Sequence, residues 1–328
     1  MRASARPRAD ATITLADGRT LAYCEWGNPS GSPVLLVHGG PGSRLLCPDQ
    51  DATAVAGVRL LTVDRPGYGG SDPRPDPTLL GWADDVQALA DRLGLERVAM
   101  VGWSAGGGYA LACAVRMPGR ISAVGLASCE GPYDEVPGAL EEGMTPEERT
   151  LFERIRQDPV AAREAVAEYV GWYQDPDTIW EWETPAVDVP ILARTDVRDA
   201  LTQMFREGAR QGVDGLVADW IAPSLPWGFA FADLKLAQLQ ASAVPPGRVS
   251  AVAAALGRDP CRGDSLSSPL TSGGSRGRSG VAADRGFKAI GGGGEAAVAE
   301  TNGFGRLPVP RRALPGPITT AMLLAPCG

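Results

Sequence analysis

Histidine is nearly absent from this chain. The 328 residues hold one, His38, so chemistry that needs an imidazole base has a single candidate. The same scarcity argues against zinc, because the six cysteines (Cys24, Cys47, Cys113, Cys129, Cys261 and Cys327) form no Cys-x-x-Cys pair. No metal and no cofactor is expected. No apolar run approaches the roughly 20 residues of a membrane span. Residues 1–10 are Arg-rich but lack the apolar core of a secretory signal. A net charge of −8 and a pI near 4.9 disfavour nucleic acid or an anionic membrane as partner. Scattered cysteines fit reduced thiols and a cytoplasmic location.

The end of the chain lacks aromatics. All eight Trp and all six Tyr precede residue 230, and residues 241–328 hold 16 Gly, 9 Pro and only Phe287 and Phe304. Residues 1–240 carry a net charge of −13 and residues 241–328 a net of +5. Such a segment buries too little apolar surface to offset its ordering entropy. Two explanations compete: a natural disordered extension, or translation in a shifted frame. Arg outnumbers Lys 29 to 2, as GC-rich codons would produce, and a frame shift in such DNA yields the Gly, Pro, Arg, Ala and Ser seen here. The aberrant frame is the preferred reading. The domain reading is therefore a flexible N-terminus over 1–10, a core over 11–139, a helical cap over 140–228 and an aberrant, mostly disordered tail over 229–328.

What is present before residue 230 is an alternation of strand and helix. Ala11 to Leu15 and Thr20 to Trp26 flank Asp17-Gly18, a hairpin turn signal. Apolar runs at 33–37, 58–63, 97–101 and 121–127 read as buried strands. Residues 79–93 and 106–116 read as helices. This rhythm predicts an α/β fold with a mostly parallel sheet. Ligands in such sheets sit beyond the carboxyl ends of the strands. There lie His38-Gly39-Gly40, Asp64-Arg65 and Ser104. From about 140 to 225 the strand rhythm stops. Helices are predicted from Thr145, over 159–173, over 196–208 and over 213–221. Trp172, Tyr173, Trp180, Trp182 and Trp220 read as packing residues before pocket residues.

Val98 to Gly108 reads as a strand, a glycine-flanked serine and a helix start built from small residues. Gly102-Trp103-Ser104-Ala105-Gly106 has the spacing of a nucleophile elbow. Together with His38-Gly39-Gly40-Pro41-Gly42 and Asp64-Arg65-Pro66-Gly67-Tyr68-Gly69-Gly70-Ser71-Asp72, it resembles the capped, serine-nucleophile α/β-fold hydrolases. The HGGPG loop resembles that of the proline iminopeptidase-like branch. The resemblance covers residues 11 to 230. It implies Ser104 as nucleophile, with the backbone N–H groups of Gly40 and Ala105 as oxyanion hole. His38, Gly39, Gly102, Gly106, Asp64 and Arg65 are implied as supporting residues. Asp64 and Arg65 read as a structural pair and Asp72 as a maker of local turn hydrogen bonds.

The family's acid-bearing strand and final histidine do not follow. Residues 233–240 read as lacking that strand, and no histidine comes later. Asp196, after Val189-Pro190-Ile191-Leu192, is discounted because it falls inside the helical block; Glu130 is the better spare acid. Glu181 and Glu183 are weak candidates for an amine-binding carboxylate. The expected function is hydrolysis of a small ester or amide, on a small molecule or short peptide, with little turnover because the triad is incomplete. The alternative is an inactive product or a non-catalytic binding protein. Loss of the last strands predicts an exposed sheet edge and poor solubility.

Overall fold

The computed structural model describes residues 6–47, 49–127, 129, 131–132, 144–171, 175, 180, 189–234 and 239–242, the last four and residue 231 as backbone alone. One seven-stranded sheet organises them. Strands β1 (Ala9–Thr14) and β2 (Thr20–Gly27) form the predicted hairpin. Gly18 at φ +88° supplies the turn conformation that a Cβ would oppose. β3 (Ser32–Val37), β4 (Val58–Val63), β5 (Val98–Trp103) and β6 (Ile121–Ala127) follow. The sheet order is β1-β2-β4-β3-β5-β6-β7. β1 and β2 run antiparallel to their neighbours, and the pairs from β4 onward are parallel.

Helices α1 (Gln50–Val55), α2 (Leu79–Arg92) and α3 (Gly106–Arg116) connect the strands. α2 starts where Thr78 accepts the Gly81 N–H, and it buries Leu79, Trp82, Val86 and Leu89. These residues join Leu35, Leu61, Met100 and Leu111 in the main core. β2 is buried on both faces, since the core covers one side and a cluster of Cys24, Trp26, Leu36, Leu60, Met204 and Phe205 the other.

Five α-helices and one strand come after β6 among the described residues: α4 (Pro146–Gln157), α5 (Pro159–Val170), α6 (Val189–Leu192), α7 (Thr195–Gly208), α8 (Asp214–Ser224) and β7 (Leu239–Ser242). Thr145 and Glu148 close a capping box at α4, as their spacing predicts. Val189–Leu192 is helical, as its place in the helical block requires.

β7 corrects the sequence reading. Leu239–Ser242 pairs parallel with Val124–Ala127 of β6, so a strand does follow the helical block. Its four residues carry no β-branched side chain. The neighbouring ladder, not local propensity, makes this segment extended. Among the described residues, β7 rather than β6 is therefore the outermost strand on that side of the sheet. The readings placed on residues 1–5, Glu130, Trp172, Tyr173, Glu181, Trp182, Glu183 and 243–328 lie outside the described residues.

Candidate active site

Ser104 follows β5 and precedes α3 with φ +52°, and among the described residues no other non-glycine has positive φ. Its N–H donates to Ala127 O at 2.9 Å, and its carbonyl accepts from Gly107 N–H at 3.1 Å. The glycines around it are required by contact. A Cβ on Gly102 would lie 2.7 Å from Gly106 O and from Gly107 Cα. One on Gly106 would lie 2.3 Å from Val37 O. Strand β5, helix α3 and strand β3 thus meet at backbone distance, which fixes the serine on a sharp turn.

The loop after β3 passes over that turn. A Cβ on Gly39 would stand 3.1 Å from Ser104 Cβ, and one on Gly40 would stand 3.8 Å from Ala105 Cβ. The loop and the residue after the serine are therefore neighbours, as an oxyanion hole built from both requires.

His38 is committed elsewhere. It is 1% exposed. Its Nε2 accepts the Arg65 backbone N–H at 3.2 Å, so Nδ1 bears the proton and donates to Gly39 O at 2.7 Å. Its ring meets Tyr68 edge-on at 4.9 Å. Burial, reinforced by the Arg65 charge, pushes its pKa well below 6.5. The imidazole is neutral and braces the loop.

Asp64 and Arg65 each take partners of their own. Asp64 accepts from Arg44 N–H at 2.5 Å, Arg44 Nη1 at 2.8 Å and Gly70 N–H at 2.7 Å. Successive residues at a strand end point to opposite faces, so each finds its own partner. Burial raises the Asp64 carboxyl to about 6 against the pull of Arg44. Arg65 Nη2 lies 2.6 Å from Asp219 Oδ2 on α8. Tyr68 and Tyr109 donate to the same carboxylate at 2.5 and 3.0 Å. The Arg65 guanidinium stands 5.3 and 4.6 Å from their ring centroids. Asp72 departs from expectation. It accepts the Thr20 N–H at 2.7 Å, tying its loop to β2 rather than to its own turn.

Residues 32–171 match the family model of the alpha/beta hydrolase fold. This segment belongs to the α/β-hydrolase family. A non-heme chloroperoxidase of Streptomyces lividans is 35% identical over 127 residues, 37% of this chain and 45% of that one. A proline iminopeptidase of Xanthomonas citri is 32% identical over 111 residues, covering 33% and 36%. A probable proline iminopeptidase of Streptomyces coelicolor is 28% identical over 200 residues, covering 54% and 61%. The chain thus spans less than two thirds of the length of each of these relatives.

The fold brings Ser104, Gly39, Gly40, Ala105 and His38 to one place. Sequence reasoning missed Asp219. The available signal was an acid on the Leu216–Asp219–Ala222 stripe of an otherwise apolar helix face. Among the described aromatics after β6, Trp220 packs edge-on against Tyr169, and Trp180 lies under Arg198 with its Nε1 donating to Thr202. Among the described residues, no cluster of His, Cys, Asp and Glu could hold a metal ion. No described helix is long and apolar enough to cross a membrane.

Proposed function

We propose that Ser104 is the nucleophile of a serine hydrolase site acting on a small ester or amide. Gly40 and Ala105 N–H form its oxyanion hole. The observation that carries this is the left-handed Ser104 under the Gly39–Gly40 loop. A serine on such a turn presents its hydroxyl at the strand end. Attack on a carbonyl would give a tetrahedral oxyanion beside the two N–H groups, and collapse would leave an acyl group on Ser104 and release the alcohol or amine. Two relatives named as proline iminopeptidases support a preference for an amino-terminal residue. Among the described residues, Cys24, Cys47 and Cys113 carry thiols outside any disulfide, which supports a cytosolic setting.

The serine proton has no imidazole to receive it within these 328 residues. His38 is the sole histidine, and both its ring nitrogens are engaged. Without a triad, the hole and binding alone leave roughly 10³-fold acceleration over water. Turnover by this chain is therefore weak. The second reading, a hydrolase-fold chain that binds without turning over, is favoured by the same fate of His38. Hydrolysis of p-nitrophenyl acetate by the full chain and by Ser104→Ala separates the two. A slow, Ser104-dependent release of p-nitrophenol supports the hydrolase; identical rates in the two proteins support the binding reading.

A further inference from the structure

We propose that Asp219, on cap helix α8, is a positioning residue that orients the Gly39–Gly40 peptide of the oxyanion hole through Arg65. The inference rests on the reading of Ser104 as nucleophile and Gly40 N–H as hole donor.

Two glycines in series have no side chains to fix their backbone, so the direction of the Gly40 N–H must be set from outside. It is set at the other end of the same peptide. The Gly39 carbonyl accepts from His38 Nδ1 at 2.7 Å and from Arg65 Nη2 at 2.9 Å. In a planar trans peptide the C=O and the following N–H point in opposite directions. Holding Gly39 O toward the buried His38 and Arg65 therefore aims Gly40 N–H the other way. The Arg65 nitrogen that holds this carbonyl is the one 2.6 Å from Asp219 Oδ2. Tyr68 and Tyr109 in turn fix both Asp219 oxygens.

Asp219 also lies against the loop itself: a Cβ on Gly40 would stand 3.1 Å from Asp219 Oδ2. An unneutralised carboxylate there would oppose a developing oxyanion. The guanidinium thus serves twice, orienting the peptide and cancelling the charge behind it. The placement links cap to core, because α8 supplies the acid while the strand ends supply the loop and the arginine.

Asp219→Asn keeps the size and an acceptor but loses the charge that holds Arg65. The test is the first-turnover release of p-nitrophenol from p-nitrophenyl acetate and from its thionoacetate analogue, using the full chain. Sulfur accepts hydrogen bonds poorly, so the thiono ester gains little from the hole. Asp219→Asn is expected to slow the oxygen ester about tenfold or more, to slow the thiono ester clearly less, and to keep a cooperative melt. Arg65→Lys retains a cation without the fork and is expected to do the same, which covers the case that Asp219→Asn fails to fold. Equal losses with both esters, or no loss, in a protein whose wild type acylates at Ser104 overturn the positioning role alone. Absence of Ser104-dependent acylation in the wild type overturns the nucleophile reading and this inference with it.

Discussion

Ser104 stores backbone strain that a glycine would not. A non-glycine at φ +52° costs on the order of 1 kcal/mol or more. Ser104→Gly should therefore raise stability by about 1 kcal/mol, while Ser104→Ala, which keeps the Cβ, should not. Thermal melts of the three proteins decide this, and a destabilised Ser104→Gly would contradict the strain. Asp64 gives a second prediction. Its carboxyl titrates near 6 in the fold because burial outweighs Arg44. The native state then binds more protons than the unfolded chain between about pH 4 and 6. The stability so contributed is present below about pH 4 and lost as pH rises through 6. The stability of the wild type relative to Asp64→Asn should fall across that window and level off above it, as urea unfolding at stepped pH would read. A difference that is flat, or that grows with pH, would contradict the burial-dominated shift.

At the scale of elements, the site is a meeting of ends. β3 delivers the glycine loop, β4 delivers Asp64 and Arg65, β5 delivers Ser104, and α8 delivers Asp219. α7 docks at the same place: a Cβ on Gly208 would lie 2.3 Å from Gly42 O. Gly208→Ala must push α7 off the loop and should cost about 2 kcal/mol, read as a lower urea midpoint. An unchanged midpoint would show that the contact can relax. Much of this arrangement is legible in the sequence. The strands, the elbow and the capping box each follow from a local pattern of glycines, apolar runs or capping residues. What is not legible is pairing at a distance. Tyr68 and Asp219 are 151 residues apart, and no local pattern couples them. β7 escapes reading for a related reason, since a neighbouring ladder rather than its own residues makes Leu239–Ser242 extended. Helix α1 rests on one short turn capped by Asp49, too brief for a periodic signal.

At the scale of the molecule, one sheet and the helices after β6 assemble the Ser104 turn and the loop above it. The chain's one imidazole serves in bracing that loop. The proposed site has one of two properties that usually travel together, a positioned nucleophile with its hole, and lacks the other, a base that activates it. The first is a matter of backbone geometry and belongs to residues 32–127. The second has no candidate histidine among the 328 residues. The most direct test is a time course of fluorophosphonate labelling of the full chain and of Ser104→Ala, with the adduct mapped by mass spectrometry. A single adduct at Ser104, forming slowly and absent from Ser104→Ala, is the expected result. An adduct on another serine, or none, would contradict the nucleophile; rapid labelling at Ser104 would contradict the missing base.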